Sequence, residues 1–234
     1  RAAGKKIVSQ EEKDIILSLI GKLDTSIHKE QIMKRPWEYL KEEESQEHRY
    51  EVHFQKITYF EYKGLRCKGL IDILILKIKL DQPKIEKAHI VDLKTTGKPL
   101  FLFDQAVDMF RYDVQLAFYR TGISQTFGLY EQEIECSFLV LGKYNPMEPM
   151  LRINLHEDLL YRGKWGEDFF TPGPDIPSSA SYLNVKHKKG KDMLFGFEWA
   201  LRSYKYYLGK SPEDPGELVN THGTEYTLTK QGLI

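Results

Sequence analysis

Cysteine is scarce in this chain: Cys67 and Cys136 are the only two in 234 residues. Both fall in apolar stretches that read as strands, so they are expected to be buried free thiols. Two cysteines cannot build a disulfide framework, and they exclude a four-cysteine iron–sulfur cluster and argue against a zinc site. Long hydrophobic runs are missing as well. Nothing approaches the ~20 apolar residues that a membrane helix requires, and no secretory leader is visible. Neither sign of charge is in excess, because 34 Lys+Arg balance 34 Asp+Glu. The overall charge therefore does not mark a nucleic-acid binder. No repeat or low-complexity tract occurs. What remains is 41% hydrophobic and 29% charged, enough for one sizeable core, and a single domain over residues 1–234 is expected.

The pattern along the chain fills in that domain. Ser9-Gln10-Glu11-Glu12 is a capping box, and Ile15, Ile16, Leu19, Ile20 and Leu23 follow at helical spacing. A second helix is expected over roughly 28–45, disturbed or restarted at Pro36. Strands are expected near 50–62, 65–80 and 86–95, with Asp81-Gln82-Pro83 turning the last pair. A helix over 104–121, strands over 134–143 and 150–155, a proline- and serine-rich loop from Thr171 to Ser181, and a final helix from Leu194 to Leu208 complete the outline. Charge is unevenly spread along it. Glu38 to Glu47 is acid-rich, whereas Lys186-His187-Lys188-Lys189-Gly190-Lys191 is basic.

The triplet Asp92-Leu93-Lys94 closes the apolar run Ala88-His89-Ile90-Val91, and Gly69-Leu70-Ile71-Asp72 lies earlier in the chain. Side chains alternate faces in a strand, so Asp92 and Lys94 project to one side while Val91 and Leu93 project to the other. Taken alone, such a triplet reads as an exposed pair of opposite charges. Facing a second acid on a neighbouring strand, it reads as chemistry. Two acids can hold a divalent cation through oxygen, and the lysine can orient or activate a water beside it. That combination serves metal-assisted phosphodiester hydrolysis.

The ordered series Glu51, Asp72, Asp92-x-Lys94 and Gln115-x3-Tyr119 resembles the RecB-like branch of the PD-(D/E)XK nuclease superfamily. Within that branch the resemblance is to RecE-type exonucleases (exonuclease VIII) of phage and prophage recombination systems. It is carried by Gly64-Leu65-Arg66-Cys67-Lys68-Gly69-Leu70-Ile71-Asp72, Ile90-Val91-Asp92-Leu93-Lys94-Thr95-Thr96, Tyr112-Asp113-Val114-Gln115-Leu116-Ala117-Phe118-Tyr119, and Phe138 to Lys143 followed by Pro146. It covers about residues 45–150. It implies an α/β fold with a restriction-endonuclease-like core, a central mixed sheet flanked by helices. It also implies that Glu51, Asp72, Asp92 and the Leu93 backbone carbonyl ligate Mg²⁺ or Mn²⁺, and that Lys94 positions or deprotonates the attacking water. Gln115, Tyr119, Tyr112 and the trailing Thr95 and Thr96 would order the site or hold DNA. The implied activity is degradation of linear duplex DNA from the 5′ end, leaving a 3′ single strand for an annealing protein. A ring-shaped homo-oligomer and the cytoplasm of a bacterial or phage-infected cell belong to the same expectation.

The chain departs from the family pattern at Gly142, where relatives often carry Glu. A histidine commonly joins the metal site; His28 is the candidate, with His53, two residues after Glu51, as the alternative. Family members with an iron–sulfur cluster hold it by four cysteines, which this chain lacks. On the 104–121 helix, Val107, Phe110, Val114, Ala117 and Thr121 form the stripe expected to pack on the sheet. Asp108, Tyr112, Gln115 and Tyr119 form a second, and Asp108 reads as surface. Endonucleases share the same residue set, and a catalytically inactive DNA-binding scaffold is a further alternative. The basic cluster is either a solvated loop or a phosphate-contacting one. If it contacts phosphate, neutralising Lys186, Lys188, Lys189 and Lys191 to Gln will weaken DNA binding and flatten its salt dependence, by about 0.9 in the log–log slope per lost phosphate contact. Titration of DNA affinity against salt measures this, and an unchanged slope assigns the cluster to ordinary surface.

Overall fold

The computed structural model describes residues 9–145, 148–166, 196–198, 200–201, 218–219 and 225–226. The frame of the molecule is a long hairpin of β1 (His48–Tyr62) and β2 (Leu65–Lys79). Its turn, Lys63-Gly64, has φ of 50° and 76°. Positive φ at both turn residues matches the right-handed twist of the flanking strands. That turn sets Tyr62 opposite Leu65 and carries the same register back to His48 opposite Lys79. β3 (Ile85–Thr96) pairs antiparallel with β2, β4 (Ile134–Gly142) pairs parallel with β3, and β5 (Leu151–Asn154) closes the far edge antiparallel. The sheet is five-stranded and mixed, in the order β1-β2-β3-β4-β5.

Helices cover both faces, which is why residues 73–76 of β2 and 138–141 of β4 read as unbroken apolar runs. On one face Leu74, Leu76, Ile90, Phe138 and Val140 pack with Leu116 and Ile123 of the helix α5 (Tyr112–Phe127). On the other, Ile73, Ile75, Val91 and Leu139 pack with Ile32 of α2 (Ile27–Lys34) and with Tyr39 and Leu40 at the end of α3 (Pro36–Tyr39). The capping box at Ser9 and Glu12 opens α1 (Gln10–Asp24). A two-stranded pair, Leu218–Val219 with Glu225–Tyr226, lies apart from this sheet.

The hairpin leaves the sheet at Asp72. The β2–β3 ladder reaches Ile73 opposite Val91, and among the described residues 65–71 pair with β1 alone. Alternation breaks at the same point, because Ile71 and Leu74 both join the α5 face. Beyond the break the hairpin rests on α5. A side chain at Gly69 would meet the Tyr119 ring at 3.1 Å, and one at Gly122 would meet Phe60 at 2.6 Å. Glycine at both positions is what lets strand and helix approach so closely.

Several expected elements differ in the structure. The helix expected over 104–121 is two helices, α4 (Phe103–Phe110) and α5, separated by Arg111 with φ 52° and ψ 47°. Asp113 holds that left-handed residue through Nε at 3.0 Å and Nη2 at 3.2 Å. The expected packing stripe is cut as a result: Val107, Ala117 and Thr121 are buried, but Phe110 is 61% exposed. The helix expected over 28–45 breaks at Arg35, which precedes proline, and restarts at Pro36 as expected, but it ends at Tyr39 rather than at 45. A helix α6 (Glu157–Trp165) follows β5 where none was expected. The expected 171–181 loop lies outside the described residues, as does most of the 194–208 helix. Cys67 and Cys136 are buried free thiols.

His89 shows how tightly the second face is closed. It is fully buried, its Nδ1 donates to the Tyr39 carbonyl at 2.9 Å, and its Nε2 meets Ser137 Oγ at 2.9 Å. Burial, with the nearby Arg152 charge, pushes the imidazole down to about 3. The unfolded chain therefore binds a proton at His89 between about pH 6.5 and about pH 3 while the folded chain does not. The stability this group contributes is full above that window and declines as pH falls through it, by about 1.4 kcal/mol per pH unit. In a His89→Gln variant the stability–pH slope inside the window will be shallower by about one proton's worth. Denaturant unfolding at a series of pH values measures it, and equal slopes in the two proteins would sink this account of His89.

Candidate active site

Asp72 and Asp92 come together because β2 and β3 run antiparallel with Ile73 opposite Val91, which sets the two acids at the next step of the ladder. Asp72 is anchored from both sides. Its Oδ2 accepts from the Leu93 backbone N–H at 2.9 Å, and its Oδ1 accepts from Gln55 Nε2 at 2.8 Å. Asp92 is 2% exposed. Its Oδ2 meets Lys94 Nζ at 2.5 Å, and its Oδ1 accepts from Gln115 Nε2 at 3.2 Å. Burial raises the Asp92 carboxyl above its ordinary range; Lys94 opposes that shift and Asp72 adds to it.

The helix α5 supplies the remaining contacts. Lys94 Nζ donates to Gln115 Oε1 at 2.9 Å, while Gln115 Nε2 also donates to Tyr119 Oη at 3.1 Å. One amide thereby serves ammonium, carboxylate and phenol, which fixes which way it points. The Tyr112 ring centroid lies 4.4 Å from Lys94 Nζ, within cation–π range. The structure thus brings Asp72, Asp92, Lys94, Gln115, Tyr119 and Tyr112 into one cluster, with the Leu93 backbone beside it.

Other expected site residues lie elsewhere. Glu51 sits opposite Leu76, four residues along β1 from Gln55, and pairs with Arg49 at 3.1 Å and His53 at 3.3 Å. It does not reach Asp72, because the hairpin register puts Gln55 there instead. His53 is held by that same Glu51. His28 packs edge-on against Tyr39, on the sheet face away from α5, and burial lowers its pKa. Thr95 is exposed, and Thr96 serves the turn after β3, accepting from Lys98 N at 3.0 Å. Asp108 pairs with Arg162 at 2.8 Å. Lys186, Lys188, Lys189 and Lys191 lie outside the described residues.

Two residues escaped the sequence reading. Gln55 has φ 49° and is the direct support of Asp72. The Lys63-Gly64 turn could have revealed it, since a two-residue turn there places residue 55 opposite residue 72. Glu148 explains Gly142: its carboxylate occupies the space that a side chain at 142 would take, and its Oε1 accepts from Leu100 N at 3.1 Å. Lys22 of α1 then donates to the Gly142 and Asn145 carbonyls at 2.7 and 2.5 Å.

The donor set fits a small hard cation. Asp92 is buried and feels the charge of the neighbouring Asp72, and a divalent ion would relieve both the desolvation and the repulsion. Among the described residues no group of three His, Cys, Asp or Glu side chains converges. Two carboxylates, with water and substrate oxygens completing the shell, is how Mg²⁺ is usually held.

A protein-family description, the PD-(D/E)XK nuclease superfamily, matches residues 5–194. Among solved structures, a crystal structure of a "putative exonuclease" from Eubacterium rectale is similar over 67% of this chain and 52% of its own length, at 16% identity and a TM-score of 0.42. The matched region thus spans about half of that protein. No curated protein matches the chain. Among the described residues no helix is long and apolar enough to cross a membrane.

Metal binding can be tested without turnover. Mg²⁺ or Mn²⁺ alone will raise the melting temperature of the wild type, by about 2.7 kcal/mol of added stability at a hundredfold excess over Kd. Asp72→Asn and Asp92→Asn will flatten that response in differential scanning calorimetry. A full response in both variants would remove the two acids as ligands.

Proposed function

Because this chain belongs to the PD-(D/E)XK nuclease superfamily, we propose that it is a metal-dependent DNA nuclease with Asp72, Asp92 and Lys94 at its centre. The observation that carries the reading is the Lys94 ammonium, held between the Asp92 carboxylate and the Gln115 amide. A lysine there with only a structural role would not need a glutamine on a separate helix to aim it. An ammonium has three N–H groups. One donates to Gln115 and the charge faces the Asp92 carboxylate, which leaves donor capacity for an attacking water or a phosphate oxygen. The Tyr112 ring covers one side of the ammonium and limits where it can swing.

Asp72 and Asp92 would hold the cation. When bound, a divalent ion polarises the scissile phosphate and a coordinated water. Asp72 enters that role with its orientation set by Gln55 and the Leu93 N–H. Gln115 keeps Asp92 and Lys94 in register with each other, so that the acid and the cationic group meet the same phosphate. Lys94 orients the water for in-line attack and offsets the charge that develops on phosphate oxygen.

The finer reading is an exonuclease that digests linear duplex DNA from the 5′ end. It is supported by the RecE-type motifs spanning residues 64–72, 90–96 and 112–119. A ring of copies, a single-strand annealing partner and a cytoplasmic location rest on the same motifs. Linear duplex DNA incubated with Mg²⁺ will be degraded, closed circular DNA will survive, and Lys94→Ala will lose at least about 10²-fold in rate while remaining folded. Cutting of the circle would make the protein an endonuclease. Wild-type activity in Lys94→Ala would overturn the catalytic assignment.

A further inference from the structure

Phe110 does not behave as a packing residue. It ends α4 with 61% of its surface exposed, yet its ring lies nearly parallel to Tyr112, with centroids 5.5 Å apart and planes 27° apart. On a continuous helix, side chains two residues apart point to opposite sides and cannot stack. The left-handed Arg111 between them makes the stack possible. That conformation is seldom adopted by residues other than glycine, and the Asp113 carboxylate clamps it.

Tyr112 is in turn nearly parallel to Phe103, 6.0 Å away at 22°. Tyr112 and Phe103 both rest on Phe138, and Phe103 and Phe138 are buried. An exposed ring therefore ends a column of contacting rings, Phe110–Tyr112–Phe103, whose last member is buried. The middle ring of that column is the one that touches Lys94.

A rigid, solvent-facing ring beside a phosphodiester site meets the requirement of a nucleobase that has left its helix. Base–aromatic stacking tolerates any sequence, because every base has a π face. We infer that Phe110 is a stacking platform for a nucleobase of the strand whose phosphate enters the Asp72–Asp92–Lys94 cluster, so that DNA unpaired at that point is the favoured substrate. The inference rests on the nuclease reading above. A base inside a duplex is covered on both faces and cannot also cover Phe110. The continuity of the column with Lys94 favours the substrate over a protein as its occupant.

The test uses a short single strand in which one 2-aminopurine is moved in turn along the sequence, and its duplex counterpart, with Ca²⁺ replacing Mg²⁺ to hold the DNA uncut. Stacking on an aromatic ring quenches 2-aminopurine fluorescence. Wild type will quench the probe at one position of the single strand. Phe110→Ala will lose that quench and bind about tenfold or more weakly, and Phe110→Trp will restore both. Equal quenching and affinity in wild type and Phe110→Ala, with wild type still cutting DNA, overturns this proposal and leaves the nuclease reading standing. A wild type that neither binds nor cuts DNA removes both. A change in sedimentation of Phe110→Ala with unaltered DNA binding assigns the ring to contact between copies, and overturns it as well.

Discussion

Two carboxylates that repel each other must be held side by side, and much of the molecule follows from that constraint. Asp72 is tied to the Leu93 N–H and to Gln55, and Asp92 is enclosed and matched by Lys94 and Gln115. The tethers come from three elements, β1, β3 and α5, so no single element can relax to relieve the crowding. Burial keeps the Asp92 carboxyl above its usual range, which means that charging it costs stability. A fold without a task at this point would have no reason to retain such a group.

The departure of the hairpin at Asp72 serves the same end. If β2 had continued alongside β3, the acid would be one more ladder position inside the sheet. Because the strands part there, Asp72 keeps its backbone anchor to β3 while its side of the site opens. The freed half of the hairpin would then be an exposed two-stranded ribbon, which is marginal by itself. It is stabilised by lying on α5, where Gly69 meets Tyr119 and Gly122 meets Phe60. Tyr119 thus joins the hairpin to the acid–lysine cluster, with its ring on Gly69 and its hydroxyl on Gln115.

How much of this was legible in the sequence depended on the range of the interaction. Asp72, Asp92 and Lys94 could be placed on one site because strand alternation and antiparallel pairing are short-range rules. The mixed sheet with flanking helices followed from the order of apolar runs. Glu51 was grouped with the acids by its order in the chain, but the turn register puts it four residues away along the strand. Arg111 carried no warning, since a left-handed position is normally announced by Gly or Asn, and here a salt bridge to Asp113 replaces that signal. Gly142 looked like a lost carboxylate. Its meaning lies in Glu148, a residue that becomes its neighbour only once the chain folds back.

Topology explains why the glutamine and tyrosines of the cluster come from α5. β3 and β4 are parallel, so the chain between them must cross over the sheet before β4 can begin. α4 and α5 are that crossover, and α5 lies on the face toward which Asp92 and Lys94 project. Gln115 reaches Lys94 as a consequence of the one connection that cannot be made short. The groups that aim the lysine are therefore fixed by the same packing that holds Leu116 and Ile123 against Ile90 and Phe138. A substitution that loosens that layer will disturb the ammonium before it unfolds the protein, because Gln115 stands one residue from Leu116 on the same helix.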